Sequence, residues 1–284
     1  MEQVTDISVL RSWVTSRRKA GQRIGLVPTM GALHAGHLSL VDEARRRSDA
    51  VAMSLFVNPL QFGPNEDFSR YPRDLARDHQ LAAQRGVDLL FAPSVEAMYP
   101  QGAEIRVVPG ETAARWEGEV RPGHFAGVLT IVAKLFHLVQ PDVAVFGQKD
   151  IQQATLIRRM IRDLDFPIEM VVAPTVREAD GLALSSRNAY LSPDQRSDAR
   201  VLSAGLRAAD AAWTRGETDS GRLLEIVRAE MARAPGVRPD YIAVVDPDHL
   251  VPVDIAAPGS IIVLAARVGT TRLLDNHILG SEIR

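Results

Sequence analysis

Two hydrophobic periods alternate along this chain. Between Asp6 and Lys19, Ile7, Leu10, Trp13 and Val14 share one side of a helix that Asp6 can cap and Gly21 can end. Trp13 reads as a packing residue. Ile24, Leu26 and Val27 make a short apolar run suited to a buried strand, with Pro28 stopping it and Thr29-Met30-Gly31 turning the chain. Leu38, Leu40, Val41 and Ala44 then recur at helical spacing, and Arg45, Arg46 and Arg47 fall in the last turn, where cations suit the helix dipole. The alternation continues with strands over 51–57, 88–92, 143–146 and 168–172 and helices over 73–85, 128–139 and 151–164. A short edge strand over 105–108 and a short helix over 111–116 are also expected.

This order predicts an α/β fold, a parallel sheet with helices on both faces. After Ser192-Pro193 the pattern changes to helices over 194–216 and 219–234 and strands over 240–245 and 261–268. That predicts a smaller C-terminal α+β domain, with the boundary drawn between residues 1–176 and 177–284.

Composition narrows the function. The chain has 284 residues, 46% of them hydrophobic and 24% charged, the balance of a globular protein with room for two domains. The net charge of −2 argues against a general nucleic-acid surface. There is no cysteine, which removes disulfides, thiolate nucleophiles and Cys-ligated metals together. The opening MEQVTDISVLRSW has no apolar signal core, and no apolar run approaches the ~20 residues of a membrane span, so the cytoplasm is the expected location.

The candidate chemistry sits at strand ends. His34 and His37 are three positions apart at a helix start that follows a strand, with Gly36 between them. Unpaired N–H groups there favour phosphate, and imidazoles can donate to its oxygens. One His as a cap and the other as a surface residue is the plainer reading; the pair, the glycines and the strand–loop–helix setting raise the phosphate site above it. Zinc fails on ligand count, since neither Cys nor a His-Glu-x-x-His pattern occurs. Asn58 and Gln61 lie in a Pro- and Gly-rich loop over 58–67, either a plain turn or a pair of amides aimed at a ligand; spacing leaves both open. Gly147-Gln148-Lys149-Asp150 joins a strand to a helix, placing a cation for phosphate beside a carboxylate for a metal, and the same Asp can cap the helix. Leu184-Ser185-Ser186-Arg187 offers hydroxyls and a planar fork to a triphosphate, though turns often contain such a run. His124 and His137 read as structural.

His34-Ala35-Gly36-His37 resembles the HxGH signature of the nucleotidyltransferase superfamily. The longer run Pro28-Thr29-Met30-Gly31-Ala32-Leu33-His34-Ala35-Gly36-His37 resembles the pantothenate synthetase (pantoate–beta-alanine ligase) family. Further matches follow in order: Phe56-Val57-Asn58-Pro59-Leu60-Gln61-Phe62, Tyr71-Pro72-Arg73, the Arg121-Pro122-x-His124-Phe125 loop, the Gly147 to Gln153 segment, Pro174-Thr175-Val176-Arg177-Glu178, Leu184 to Asn188, and Gly269-Thr270-Thr271-Arg272-Leu273 with Asp275-Asn276. Ala35 stands where the family often carries an acid, and Gln148 where it often carries Glu.

The resemblance implies a Rossmann-like nucleotide domain and a C-terminal lid, ATP-dependent condensation of pantoate with beta-alanine through an acyl adenylate, magnesium, and a homodimer. By resemblance, His34, His37 and Lys149 are catalytic and Asp150 is the Mg2+ ligand. Residues 28–37, Gly147, Gln148, Lys149, Val176, Leu184, Ser185, Ser186 and Arg187 would bind ATP. Gln61 and Gln153 would bind pantoate, with Asn58, Tyr71 and Arg121 in the same pocket. The alternatives are another HxGH adenylyltransferase, which needs basic groups for a phosphate acceptor, and a nucleotide-binding regulator without catalysis, which does not need both histidines, Lys149 and Asp150 together.

Overall fold

The computed structural model describes residues 1–64 and 66–283, so Asn65 of the expected 58–67 loop lies outside the described residues. The chain divides into two compact units. Unit 1 is Met1–Gly147 with Gln152–Ala173, and unit 2 is Gln148–Ile151 with the chain from Pro174 onward.

Unit 1 carries β1 (Glu2–Val4), α1 (Ile7–Lys19), β2 (Ile24–Thr29), α2 (Ala35–Arg45), β3 (Ala50–Leu55), α3 (Leu75–Gln84), β4 (Leu89–Phe91), the short turns α4 (Val95–Met98) and α5 (Glu117–Val120), α6 (His124–Val139), β5 (Val143–Gly147), most of α7 (Ile151–Asp163) and β6 (Glu169–Ala173). Its sheet has six strands in the order β1-β4-β3-β2-β5-β6, and every pair is parallel. Strand side chains alternate between two buried cores. Ile24, Leu26, Ala52, Phe91, Ala144 and Phe146 join α1, α6 and α7 on one side. Val27, Val51, Met53, Leu90, Val143 and Val145 join Leu40, Val41 and Ala82 of α2 and α3 on the other. Both faces are covered, which explains why the strands read as unbroken apolar runs.

Asp6 caps α1 as expected, accepting from Ser8 N and Val9 N. Pro28 does not stop β2, which runs on to Thr29. Beside β5, β2 pairs only through Gly25 and Leu26, so past that point one edge needs no N–H, and there a proline is tolerated. No strand forms over 105–108: Val107 packs on the core and its N–H donates to Thr130 Oγ1, while Ile105 and Val108 are exposed. The helix expected over 111–116 is a 3-10 turn, Glu111–Ala114.

Unit 2 contains α8 (Pro193–Thr214), α9 (Ser220–Met231), β7 (Val237–Val245), β8 (Ile261–Val268) and β9 (Thr271–Ile278), the strands forming an antiparallel sheet in the order β7-β8-β9. Ser192 and Gln195 close a capping box at the start of α8. Leu202, Leu206, Leu223 and Val227 of the helices bury against Ile262, Leu264 and Val268 of β8. β9 escapes the hydrophobic pattern because Asp275, Asn276 and His277 interrupt it, yet all three are buried.

Candidate active site

In unit 1 the strand order reverses direction between β2 and β5, and open parallel sheets bind ligands outside the carboxyl ends at such a switch point. The loop leaving β2 is fixed there by hydrogen bonds. Thr29 Oγ1 donates to Ser54 O at 2.7 Å and accepts from Gly31 N. Gly31 (φ +87°) and Ala32 (φ 52°) are both left-handed, and a Cβ on Gly31 would lie 2.9 Å from Asp78 Oδ2. Asp78, on α3 and 2% exposed, accepts from Ala32 N and Leu33 N at 2.8 Å each. One buried carboxylate thus holds two successive amides of the loop that delivers His34.

His34 is the N-cap of α2, and its Nδ1 accepts from Gly36 N at 3.1 Å. A backbone N–H can only donate, so the neutral His34 ring carries its hydrogen on Nε2, a donor suited to a phosphate oxygen. The His34 and His37 rings lie 4.0 Å apart, centroid to centroid, tilted by 30°. The cap role occupies Nδ1 and is compatible with a phosphate role for Nε2. Pro28, Thr29 and Met30 are half-buried along the same loop, and Ala35 and Gly36 open the helix.

The expected amides meet this loop. Asn58 Oδ1 accepts from Tyr99 Oη at 2.9 Å and from Leu60 N, while Asn58 Nδ2 donates to Gly127 O and to Gln61 Oε1 at 3.1 Å each. Leu60 N can only donate and Gly127 O can only accept, so the orientation of Asn58 is fixed, and Gln61 must turn its N–H groups the other way. Gln61 Nε2 lies 3.0 Å from Met30 Sδ. A Cβ on Gly127 would come within 2.1 Å of Leu60 O, so only glycine lets α6 and this loop meet. Burial pushes the Tyr99 hydroxyl up to about 12, so it stays a donor.

Arg121 grips the same loop from outside. It pairs with Glu66 and donates to Gln61 O at 3.1 Å. Burial pushes the Glu66 carboxyl up, but the hydrogen bonds and charge of Arg121 outweigh it and hold the group below the usual carboxylate range. His124 is structural, as expected: Nδ1 meets Gln61 O at 2.8 Å and Nε2 meets Arg121 Nη1 at 3.1 Å. Tyr71 is buried edge-on to Phe62. Gln153 is half-buried in the first turn of α7. Its neighbour Gln152 is consumed by structure, bonding to Glu117 N, Thr112 O and Arg115 O.

Unit 2 holds the other candidates. Gln148–Asp150 is a 3-10 turn following Gly147, with Lys149 Nζ 3.6 Å from Asp150 Oδ1 and the Asp150 side chain half exposed. Val176 and Leu184 are joined by Leu184 N to Val176 O at 2.9 Å. Ser185 caps the 3-10 helix Ser186–Tyr190 by accepting from Arg187 N, and the buried Asn188 holds that loop through Glu178 Oε1 and Ala183 O. Among the described residues no group of three His, Asp or Glu side chains is placed to hold a metal, and no helix is long and apolar enough to cross a membrane. Tyr99 and Asp78 support these loops though no motif marked them, Tyr99 through Asn58 and Asp78 through the Ala32 and Leu33 amides, all distant in sequence.

Residues 2–278 match the family model of pantoate-beta-alanine ligase. A pantothenate synthetase of Moorella thermoacetica is 53% identical over 98% of this chain and 99% of its own length. The crystal structure of pantothenate synthetase from Thermus thermophilus superposes with a TM-score of 0.94 at 50% identity, covering 98% of this chain and 99% of that one. Pantoate-beta-alanine ligase from Francisella tularensis, solved with beta-gamma ATP and beta-alanine, gives 0.82 at 35% identity over the whole of both chains. The chain belongs to the pantoate–beta-alanine ligase family.

Proposed function

We infer that this protein condenses pantoate with beta-alanine at the expense of ATP, giving pantothenate, AMP and pyrophosphate. The observation that carries the reading is the loop from Thr29 to His37 at the switch point of the sheet. It places His34, with its hydrogen on Nε2, at a helix N-terminus and sets the Gln61 amide beside Met30. Family membership supplies the substrates.

A free carboxylate does not form an amide at neutral pH without activation. In the first step a pantoate carboxylate oxygen attacks the α-phosphorus of ATP, and the bond to pyrophosphate breaks. In the second, the beta-alanine nitrogen attacks the acyl carbon, AMP leaves with the bonding pair, and the nitrogen loses a proton. No enzyme nucleophile is required; the chain's task is positioning and charge stabilisation. His34 and His37 donate to phosphate oxygens, with His37 the proton donor. Lys149 neutralises the charge that develops on them, and Ser185, Ser186 and Arg187 hold the triphosphate. Residues 28–37 with Gly147, Gln148, Val176 and Leu184 take the nucleotide.

Gln61 and Gln153 bind pantoate, Gln61 by its N–H groups. Asn58 orients Gln61, and Arg121 and Tyr71 fix the loop that carries it. Neutral amides orient an acid without the strong pairing an arginine would give its attacking oxygen. Asp150 is a single, half-exposed carboxylate, which fits Mg2+, an ion that keeps several waters and takes its remaining ligands from phosphates. Bound there, it supplies further neutralisation of phosphate charge. We also infer a cytoplasmic homodimer, which light scattering of the purified protein checks.

The test follows product release. Pyrophosphate should appear from ATP with pantoate alone, and AMP only when beta-alanine is added. Pyrophosphate release that requires a phosphorylated acceptor instead would refute the reading.

A further inference from the structure

The segment from Gly269 to Asn276 also carries the family resemblance. In the structure its last two residues lie on β9, opposite Leu264 and Val263 of β8, and are 3% and 2% exposed. Asn276 uses its whole side chain on one target. Nδ2 donates to both Gln148 O and Lys149 O at 2.9 Å, and Oδ1 accepts from Gln148 Nε2 at 3.2 Å. The two carbonyls belong to the turn that presents Lys149.

Asn276 is itself pinned. Its backbone N–H donates to Asp275 Oδ1 at 2.8 Å. The Asp275 carboxylate receives both arms of Arg177, at 2.7 and 2.9 Å, and Arg177 also donates to Gly181 O. On the following residue, His277 Nε2 meets Asp210 Oδ1 at 2.8 Å. Arg177 opens the loop that runs on to Ser185, Ser186 and Arg187. Two adjacent strand residues therefore anchor both phosphate-directed segments of unit 2, Asn276 the lysine turn and Asp275 the serine–arginine loop. A fully satisfied buried polar network of this kind fixes one geometry, and a cation misplaced by a fraction of an ångström stabilises developing charge far less.

We propose that Asn276 is a positioning residue that acts through Lys149, holding its turn in register for the adenylation step. The inference rests on the role given to Lys149 above. A long ammonium side chain on a free turn would sample many positions. Chelation of two successive carbonyls by one rigid amide removes that freedom without touching the substrate.

A double-mutant cycle on the full-length enzyme tests this, using Asn276→Ala, Lys149→Ala and the pair, with pyrophosphate release from ATP and pantoate as the readout. Asn276→Ala should lower kcat by about 10-fold or more and leave the KM for pantoate within about twofold. The double variant should be no slower than Lys149→Ala alone. Effects that multiply, or a wild-type kcat in a folded Asn276→Ala protein, would overturn the inference while leaving the role of Lys149 standing. A wild-type rate in Lys149→Ala would instead remove the reading on which it rests. Should Asn276→Ala fail to fold, Asn276→Asp keeps the volume and the bond from Gln148 while turning an oxygen on the two carbonyls. The same loss of kcat, again absent on a Lys149→Ala background, is expected; independence from Lys149 would refute the proposal.

Discussion

Acid should loosen the loop that carries Gln61 through one imidazole. His124 sits between a group that can only accept, Gln61 O, and one that can only donate, Arg121 Nη1. Its hydrogen is therefore on Nδ1, and a second proton on Nε2 would point at a guanidinium. Burial, followed by the charge of Arg121, pushes the ring from 6.5 down to about 4, against the opposing pull of the Gln61 carbonyl, Glu66 and Glu117. The unfolded chain takes up the proton first as the pH falls. Stability from this site is complete above the unfolded value of 6.5 and is lost progressively down to about 4. Integrated to about pH 4.5, the loss is about 2.5 kcal/mol. His124→Gln keeps a neutral polar side chain that cannot titrate. Urea unfolding of both proteins from about pH 7.5 to about pH 4.5 should show the wild type losing about 2.5 kcal/mol more than the variant. Glu66 adds little to the comparison down to about pH 4.5, because its depressed carboxyl gives up its contribution mainly below its unfolded value of 4.5. Parallel curves for wild type and variant would refute the reasoning.

Other outcomes follow from the same contacts. Tyr99→Phe removes one of the two donors that orient Asn58, and should raise the KM for pantoate by about 3- to 10-fold with the KM for ATP unchanged, as expected for a lost hydrogen bond of about 1 kcal/mol. Asp78→Asn turns an amino group on one of two backbone N–H groups; it should cost about 2 kcal/mol of stability and lower kcat, measured by thermal melting beside steady-state rates. Lys149→Ala should cut turnover by about 100-fold or more without loss of fold, read by pyrophosphate release and circular dichroism.

The loop from Thr29 to His37 was legible because its signals are local: an apolar strand, glycines in the turn and two histidines one turn apart. The parallel sheet was legible because burial on both faces leaves continuous apolar runs. What escaped is made of distant polar pairs. Asp78 lies 45 and 46 positions from the amides it holds, and in sequence is an ordinary acid in the first turn of a helix. Tyr99 meets Asn58 across 41 positions. β9 was hidden by the buried Asp275-Asn276-His277 run, whose charges and amides are satisfied only by partners that the fold brings in. The expected strand over 105–108 failed for the reverse reason: its apolar residues suggested a strand, but among the described residues no neighbouring strand pairs with them. Asn58 and Gln61 were visible as candidates, and only the donor and acceptor pattern around them decides which way Gln61 turns its N–H groups.

Activation of the acid by adenylation is the claim on which every assigned role depends. Mass spectrometry of enzyme quenched after incubation with ATP, magnesium and pantoate, with beta-alanine withheld, tests it most directly. A tightly held pantoyl adenylate, consumed to pantothenate and AMP when beta-alanine is added, is the predicted result. Repeated absence of that mass, with ADP and phosphate formed in its place, would contradict it.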